Sequence, residues 1–354
     1  MTRDGGLRDV EVVDSSITAI NADGLFYRGV PIGVLATQAT FEEVAFLLWH
    51  DRRPNAAELA TFRAAYAAAW EVPNNIRAVL DTLPADASPL LALQAALPLL
   101  ESASDDAQGD ASIRLLAQIP AILAFRGGAD RSLLRADSAL AEQVLRRLGA
   151  RTLSSHSADA TLILYADHEL AASTFAARIT AAAGASLADG LSAALAVLKG
   201  PLHGGAMRAV TQMLQHLGAA EDVLAAIDAL LAQSQRIPGF GHSVYRGGDP
   251  RAAIFRTLAL EIATDETGRW LRIADILADR MERERGLYGN VDLYGVVFLH
   301  AAGITDEMML GIFAIARTAG WLAHMLEQRG NNRLIRPRAH YSGRLDRRWD
   351  EAAS

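Results

Sequence analysis

The chain has 354 residues and a formal net charge of −7, from 34 Lys and Arg against 41 Asp and Glu. At 51% hydrophobic residues it has ample material for a buried core, which excludes global disorder, and its length suggests roughly two domains of ~150 residues each. The acidic balance argues against a general nucleic-acid surface, and the lack of Cys excludes disulfides, thiolate metal sites and Cys nucleophiles.

Taken in chain order, Met1 to Asp9 alternates charged and small residues and lacks an apolar signal core. Strand character is confined mostly to the start. Val10–Val13 and Ser16–Ile20 are rich in β-formers, and Asp23-Gly24 reads as a turn before Leu25-Phe26-Tyr27. Phe41–His50 opens a helix after Thr40, with Glu42 and Glu43 in its first turn. Ala56–Trp70 and Asn75–Leu83 follow, and Pro84 breaks the pattern. Leu90–Leu100 is apolar almost all round and is expected to be buried. The longest uncharged stretch, Ala87 to Leu100, contains Pro89 and Pro98 and falls short of the ~20 apolar residues of a bilayer span. No membrane segment is therefore expected, and a soluble cytoplasmic protein is.

Residues 102–110 read as a polar loop or helix start. Helices are expected at Ser112–Phe125, Leu133–Leu148, Leu170–Ala183 and Leu187–Leu198, the last stopped by Gly200-Pro201. Ala206–Leu217, Glu221–Gln235, Ala252–Ala263, Thr267–Arg285 and Met308–Arg329 continue the series. The fold class expected is all-α with a small β element near the N-terminus. No internal repeat, low-complexity linker or coiled-coil heptad run is present.

Three segments interrupt the helices: Ala166-Asp167-His168-Glu169; Gly200 to Gly205 around His203; and Pro238 to His242, continuing to Asp249-Pro250-Arg251. Two of them set a His in a Gly/Pro-rich turn beside a helix start. Glycine lets backbone N–H groups approach a ligand closely, and a helix N-terminus favours negative charge. A His in such a place tends to stay neutral and suits donation of a hydrogen bond to a carbonyl oxygen. The plainer alternative is that the turns are connectors and each His a capped or surface residue. No two His have the i, i+4 spacing of a helical metal site, so no metal is expected. Two further residues invite attention. Asp292 follows the turn-forming Gly289 and Asn290, where a helix cap is the alternative reading. Arg317 sits within an apolar helix, where a salt bridge to an Asp or Glu is the alternative to a ligand contact.

The ordered segments His168-Glu169, PLHGGA (201–206), RIPGFGHSVYRGGDPRA (236–252), GNVDLYG (289–295), ARTAGWLAH (316–324) and RLIRPRAHY (333–341) together resemble the citrate synthase family. Residues 20–29 and 173–178 also resemble that family, so the likeness covers nearly the whole chain. The resemblance implies an acyltransferase that condenses an acyl-CoA, usually acetyl-CoA, with a 2-oxo acid, usually oxaloacetate, and then hydrolyses the thioester. It implies no bound cofactor. By the same resemblance Asp292 is the base at the acyl α-carbon, His203 donates to the thioester carbonyl, and His242 polarises the oxo group. His168, Arg251 and Arg317 contact the oxo acid from the same chain, and Arg336 does so in the partner subunit of a homodimer. Arg246 contacts the CoA phosphates, and Ile237 to Gly241, with Gly239, forms the adenine-binding edge. A large helical domain of 1–203 plus 304–354 and a small one of 204–303 that closes over the substrates are implied as well. The roles make physical sense, because an enol needs stabilisation where its charge develops and its base needs a pKa near the working pH.

The sequence departs from the family pattern close to the site. Ala171 and Met207 stand where Asn is usual, Ser88-Pro89-Leu90 replaces His-Pro-Met, Ser243 replaces a common Arg, and Leu293-Tyr294-Gly295 is one residue shorter than usual. Drift in an active citrate synthase, an altered acyl-CoA or 2-oxo acid in a more apolar pocket (a 2-methylcitrate synthase that takes propionyl-CoA or a related condensing enzyme), and a non-catalytic ligand-binding paralogue are the readings these changes leave open. Lys199 is the only lysine. Codon bias is the plainer reading of that skew, and a need for guanidinium groups that grip carboxylates or phosphates bidentately is the functional one.

Overall fold

The computed structural model describes residues 10–100, 110–127, 132–232, 236–242, 244, 245 and 247–345. Among them only three short strands occur, paired in the antiparallel order β1 (Thr18–Asn21), β2 (Gly24–Tyr27) and β3 (Val30–Pro31). The first turn comes at residues 22 and 23, and Gly24, at φ 132°, already belongs to β2. Val10–Val13 forms no strand, having no partner to pair with in this small sheet.

Helices make up the rest: α1 (Ile32–Gln38), α2 (Phe41–His50), α3 (Ala56–Ala68), α4 (Asn74–Thr82), α5 (Pro89–Ala96), α6 (Asp110–Arg126), α7 (Leu140–Arg147) and α8 (Ser155–Tyr165). They continue as α9 (Ala172–Ala182), α10 (Leu187–Leu198), α11 (Gly205–Ala219), α12 (Val223–Ala232), α13 (Pro250–Ile262), α14 (Gly268–Arg285), α15 (Val291–Ala301) and α16 (Asp306–Gly330). The expected all-α class is what the chain adopts. Local signals explain many of the boundaries. Thr40 with Glu43, Asn55 with Glu58 and Ser186 with Asp189 close reciprocal capping boxes at the starts of α2, α3 and α10. Leu90–Leu100, expected as one helix, tightens into a 3₁₀ turn at Leu97–Leu100, which contains Pro98.

Two differences from the sequence expectation have clear causes. Residues 133–139 are not helical, because the Arg135 guanidinium pairs with Asp137 and the Gln143 side chain bonds both backbone groups of Arg135. Such local bonds compete with helix formation. Helices α1, α8 and α15 were not expected. The last two are buried on nearly every side along most of their length, α8 with polar Ser157, Asp159 and Thr161 among its buried residues, so they carry no amphipathic period to read.

At the centre runs α16, packed by α2, α6, α8, α9 and α10. It is long and apolar enough to cross a bilayer by length and composition, but 83% of its apolar window is buried inside the protein. Its burial fixes the first turn of the future site. Gly320 approaches the Ala166–Glu169 loop so closely that an added Cβ would collide with the Ala166 carbonyl and the Asp167 carboxylate. The Gly320 N–H donates to that carbonyl at 3.1 Å. From the other side, the small sheet pins the same loop. The Tyr27 hydroxyl donates to the Asp167 carbonyl at 2.8 Å, and Thr18 Oγ1 donates to the Asp167 carboxylate at 2.5 Å.

Candidate active site

The three interrupting segments, the start of α15 and the middle of α16 converge on one cavity of ≈ 420 Å³. His168, His203, His242, Arg251, Asp292 and Arg317 all line it. Six of the residues singled out from the sequence thus share one cavity, although they are separated by up to 149 positions.

Each histidine ring is oriented by hydrogen bonds to its neighbours. The backbone N–H groups of Val244 and Tyr245 donate to His242 Nδ1 at 3.1 and 3.3 Å, so the proton of the neutral ring sits on Nε2. His203 Nε2 lies 2.8 Å from Ser173 Oγ, which already accepts from the Trp321 indole at 3.2 Å. In the tautomer where the Ser173 hydroxyl donates to Nε2, the His203 proton sits on Nδ1. His168 Nε2 pairs with the Tyr245 hydroxyl at 3.1 Å. Burial holds all three rings below the usual imidazole range, and positive neighbours add to this: Arg317 for His203, and Arg251 for His242 and His168. The value for His203 is about 4. At neutral pH the rings are hydrogen-bond donors without charge.

The charge comes from the arginines. Arg251 is 2% exposed, and its Nε and Nη2 grip Asp249 at 2.9 and 2.8 Å. Asp249 also caps α13 through the Arg251 N–H and accepts from the Val291 N–H at 3.2 Å, so one carboxylate ties the starts of α13 and α15 together. Those bonds outweigh the effect of burial and keep the Asp249 carboxyl below the usual range. Arg317 is also 2% exposed. Its Nε donates to the Tyr165 carbonyl at 2.7 Å and its guanidinium lies 4.6 Å from the centre of the Phe313 ring. Among the described residues no Asp or Glu forms a salt bridge with it, so the salt-bridge reading does not hold. Arg317 lines the cavity, and among the described residues its Nη groups have no hydrogen-bond acceptor.

Asp292 stands in the first turn of α15, capped by Asn290, whose side chain accepts from the N–H groups of Asp292 and Leu293. Asn290 is therefore the cap, and the Asp292 carboxylate forms no hydrogen bond to the described residues. Burial pushes its pKa up to about 6, against the pull of Arg251 and Arg317. Leu293, Tyr294 and Gly295 belong to the same helix rather than to a loop. A Cβ at Gly295 would collide with the Tyr165 hydroxyl, so this glycine seats the residue whose carbonyl orients Arg317.

The other expected residues lie elsewhere. Arg336 is exposed and lines a separate cavity with Arg178, Glu327 and Gln328. Ile237 is buried, and Gly239 and Gly241, at φ 84° and 72°, bond Asn290 and Tyr288 through an irregular strand pairing. None of the three lines the cavity. Arg246 and Ser243 lie outside the described residues. Ala171 and Met207, the two changed positions, both line it. Sequence reasoning passed over Ser173, Tyr245 and Asn290, and treated Asp249 only as part of a turn. The Asp-Pro start of α13 was the one signal that could have marked Asp249. Among the described residues no three His, Asp or Glu side chains converge as a metal site.

Residues 6–338 match the family model described as "Citrate synthase, C-terminal domain". The chain belongs to the citrate synthase family. It is 39% identical over 360 residues to "Citrate synthase 2" of Bacillus subtilis, with 97% of this chain and 96% of the relative covered. It is 32% identical over 353 residues to a "2-methylcitrate synthase" of Shewanella oneidensis, covering 96% and 94%. Among solved structures it matches the citrate synthase of Thermotoga maritima at TM-score 0.85 and 32% identity, with 97% of both chains covered. The Thermoplasma acidophilum citrate synthase, solved as a ternary complex with carboxymethyl coenzyme A and oxaloacetate, matches at TM-score 0.87 and 28% identity over 97% of both chains. Citrate synthases are acyltransferase-type enzymes, and the fold and family of this chain are theirs.

A stability test isolates Asp292. Its raised folded-state pKa means that the folded chain loses stability as pH rises from the unfolded value of 3.8 through about 6. The Asp292→Asn variant is expected to match wild type in urea unfolding below pH 4 and to exceed it by roughly 1–3 kcal/mol above pH 7. A difference that does not grow with pH contradicts the raised pKa.

Proposed function

We propose that the cavity condenses acetyl-CoA with oxaloacetate to form citrate and free CoA. The observation that carries the reading is the meeting of two neutral, oriented imidazole donors, one unpaired carboxylate of pKa about 6 and two buried guanidinium groups in one cavity. In this reading Asp292 removes the acyl α-proton, and His203 donates its Nδ1–H to the thioester oxygen as the enol forms. His242 donates its Nε2–H to the oxo oxygen of the second substrate. The enol carbon then attacks the oxo carbon, and water hydrolyses the thioester to release CoA. Arg251 Nη1 and the Nη groups of Arg317 take the oxo-acid carboxylates, and His168 completes that end. Ile237, Gly239, Gly241 and Arg246 serve the CoA. The chemistry assigned to these groups requires no metal or bound cofactor.

We further propose a homodimer in which Arg336 completes the neighbouring site. Its exposed position, outside its own chain's cavity, supports this. We propose that residues 204–303 close as a small domain over a large domain of 1–203 plus 304–354. Helices α11 to α15 pack largely on one another, and His203 and Asp292 stand near the ends of that segment, in keeping with closure that assembles the site and excludes water. A cytoplasmic location and a place in the tricarboxylic acid cycle rest on the family alone.

Propionyl-CoA is the second reading. It is favoured by the apolar Ala171 and Met207 on the cavity wall and by the 2-methylcitrate synthases among the relatives.

A CoA-release assay with oxaloacetate decides between them. Acetyl-CoA is expected to support release with the higher kcat/KM, and Asp292→Asn to lower kcat by about 10²–10⁴-fold. Preference for propionyl-CoA selects the second reading, and no release with either sinks both. For the dimer, Arg336→Leu and Asp292→Asn chains are each expected to be inactive alone. Mixed after dissociation and reassociation, they regain activity, because one site of each mixed dimer then has every residue intact. No recovery in mixtures confirmed to exchange subunits removes Arg336 from the partner's site.

A further inference from the structure

A second cavity of ≈ 280 Å³ lies beside the first, and the two share only Met207 and Leu310 among their lining residues. Those two side chains are the partition between them. Met207 stands in the first turn of α11, four residues past His203. Leu310 packs on Gly204, where an added Cβ would lie 3.0 Å from both Leu310 methyl groups. The partition therefore backs the residue that takes the thioester oxygen.

The first cavity is divided in character. In the proposed reading Arg251, Arg317, His168 and His242 form its oxo-acid end, and Leu198, Met207 and Leu310 are apolar members of the same lining as His203. The second cavity continues that apolar lining. Leu90 and Met309 line it and are buried, and Asp86, Gln212 and Glu307 line it and are exposed. Beyond the shared Met207, its buried lining is Leu90, Met309 and Thr211, whose hydroxyl is taken up by the Met207 carbonyl, and its exposed lining is polar, which suits an alkyl chain threaded from the first cavity.

We propose that Met207 sets the acyl-length limit of the active site, closing it to unbranched acyl chains longer than propionyl, and that the cavity behind it is a latent acyl side pocket. This rests on the proposed condensation and names the residue that restricts its acyl substrate. Methionine is unbranched and adaptable, so shortening it opens the wall without disturbing the helix that carries it.

CoA release with oxaloacetate and acetyl-, butanoyl- and hexanoyl-CoA tests the proposal on folded full-length variants. Met207→Ala is expected to raise kcat/KM for butanoyl-CoA relative to acetyl-CoA by about tenfold or more, the scale of one or two methylenes in a pocket. Met207→Leu, which keeps the wall, is expected to retain the wild-type ratio. Adding Leu90→Phe to Met207→Ala fills the side pocket and is expected to abolish the gain. If Met207→Ala does not fold, Leu310→Ala opens the same wall and reads the same ratio. An unchanged ratio in the opened variant overturns the proposal, as does a gain that survives Leu90→Phe. Wild-type chain that releases no CoA with any acyl-CoA overturns the condensation itself, an outcome distinct from either of these.

Discussion

The site depends on a guanidinium buried in the long central helix, with no carboxylate salt-bridged to it among the described residues. Arg317 has a backbone carbonyl and an aromatic face for company and, among the described residues, no carboxylate in direct contact. Burial works against its charge, and its pKa is lowered accordingly, but a guanidinium stays protonated in proteins. A charge held this way costs stability until an anion reaches it. The surrounding architecture makes such an arrangement possible. Helix α16 is anchored by packing on α2, α5, α6, α8, α9, α10, α11 and α15, and the Tyr165 carbonyl at the end of α8 fixes the direction in which the guanidinium points.

The rest of the electrostatics follows from that constraint. Arg251, the second buried guanidinium, is paired with Asp249, so it contributes direction more than net charge. Both arginines help to keep the three histidines neutral, which turns the rings into donors aimed by their own hydrogen bonds. Asp292 feels burial and two cations in opposition and settles near a pKa of 6, low enough to be ionised at neutral pH and high enough to accept a proton. One positive charge without a partner, neutral donors and a poised base suit an anionic substrate whose reaction develops negative charge on oxygen.

How much of this the sequence disclosed depends on whether a residue breaks its local pattern. Arg317 interrupts an apolar run, and His203 and His242 sit in glycine-rich turns, so each is visible along the chain. Their supports are not. Ser173 fixes His203 from 30 positions away and Trp321 fixes Ser173 from 148, both within ordinary helix. Burial on nearly all sides hid helices α8 and α15, the second of which carries Asp292, because it erases the polar–apolar periodicity that marks a helix. Val10–Val13 shows the converse, where strand-forming residues without a partner strand form none. Arg336 was visible as a motif, but a single chain leaves it outside the cavity for which it was assigned.

Thermal unfolding of wild type and Arg317→Leu, each with and without oxaloacetate, tests the central claim most directly. The account predicts that wild type gains Tm with oxaloacetate, since a ligand that pairs the buried charge binds only the folded state. It predicts that Arg317→Leu unfolds at or above the wild-type temperature without ligand and gains nothing when oxaloacetate is added. A variant that is still stabilised by oxaloacetate to the wild-type extent would contradict the claim that this guanidinium is held for the substrate.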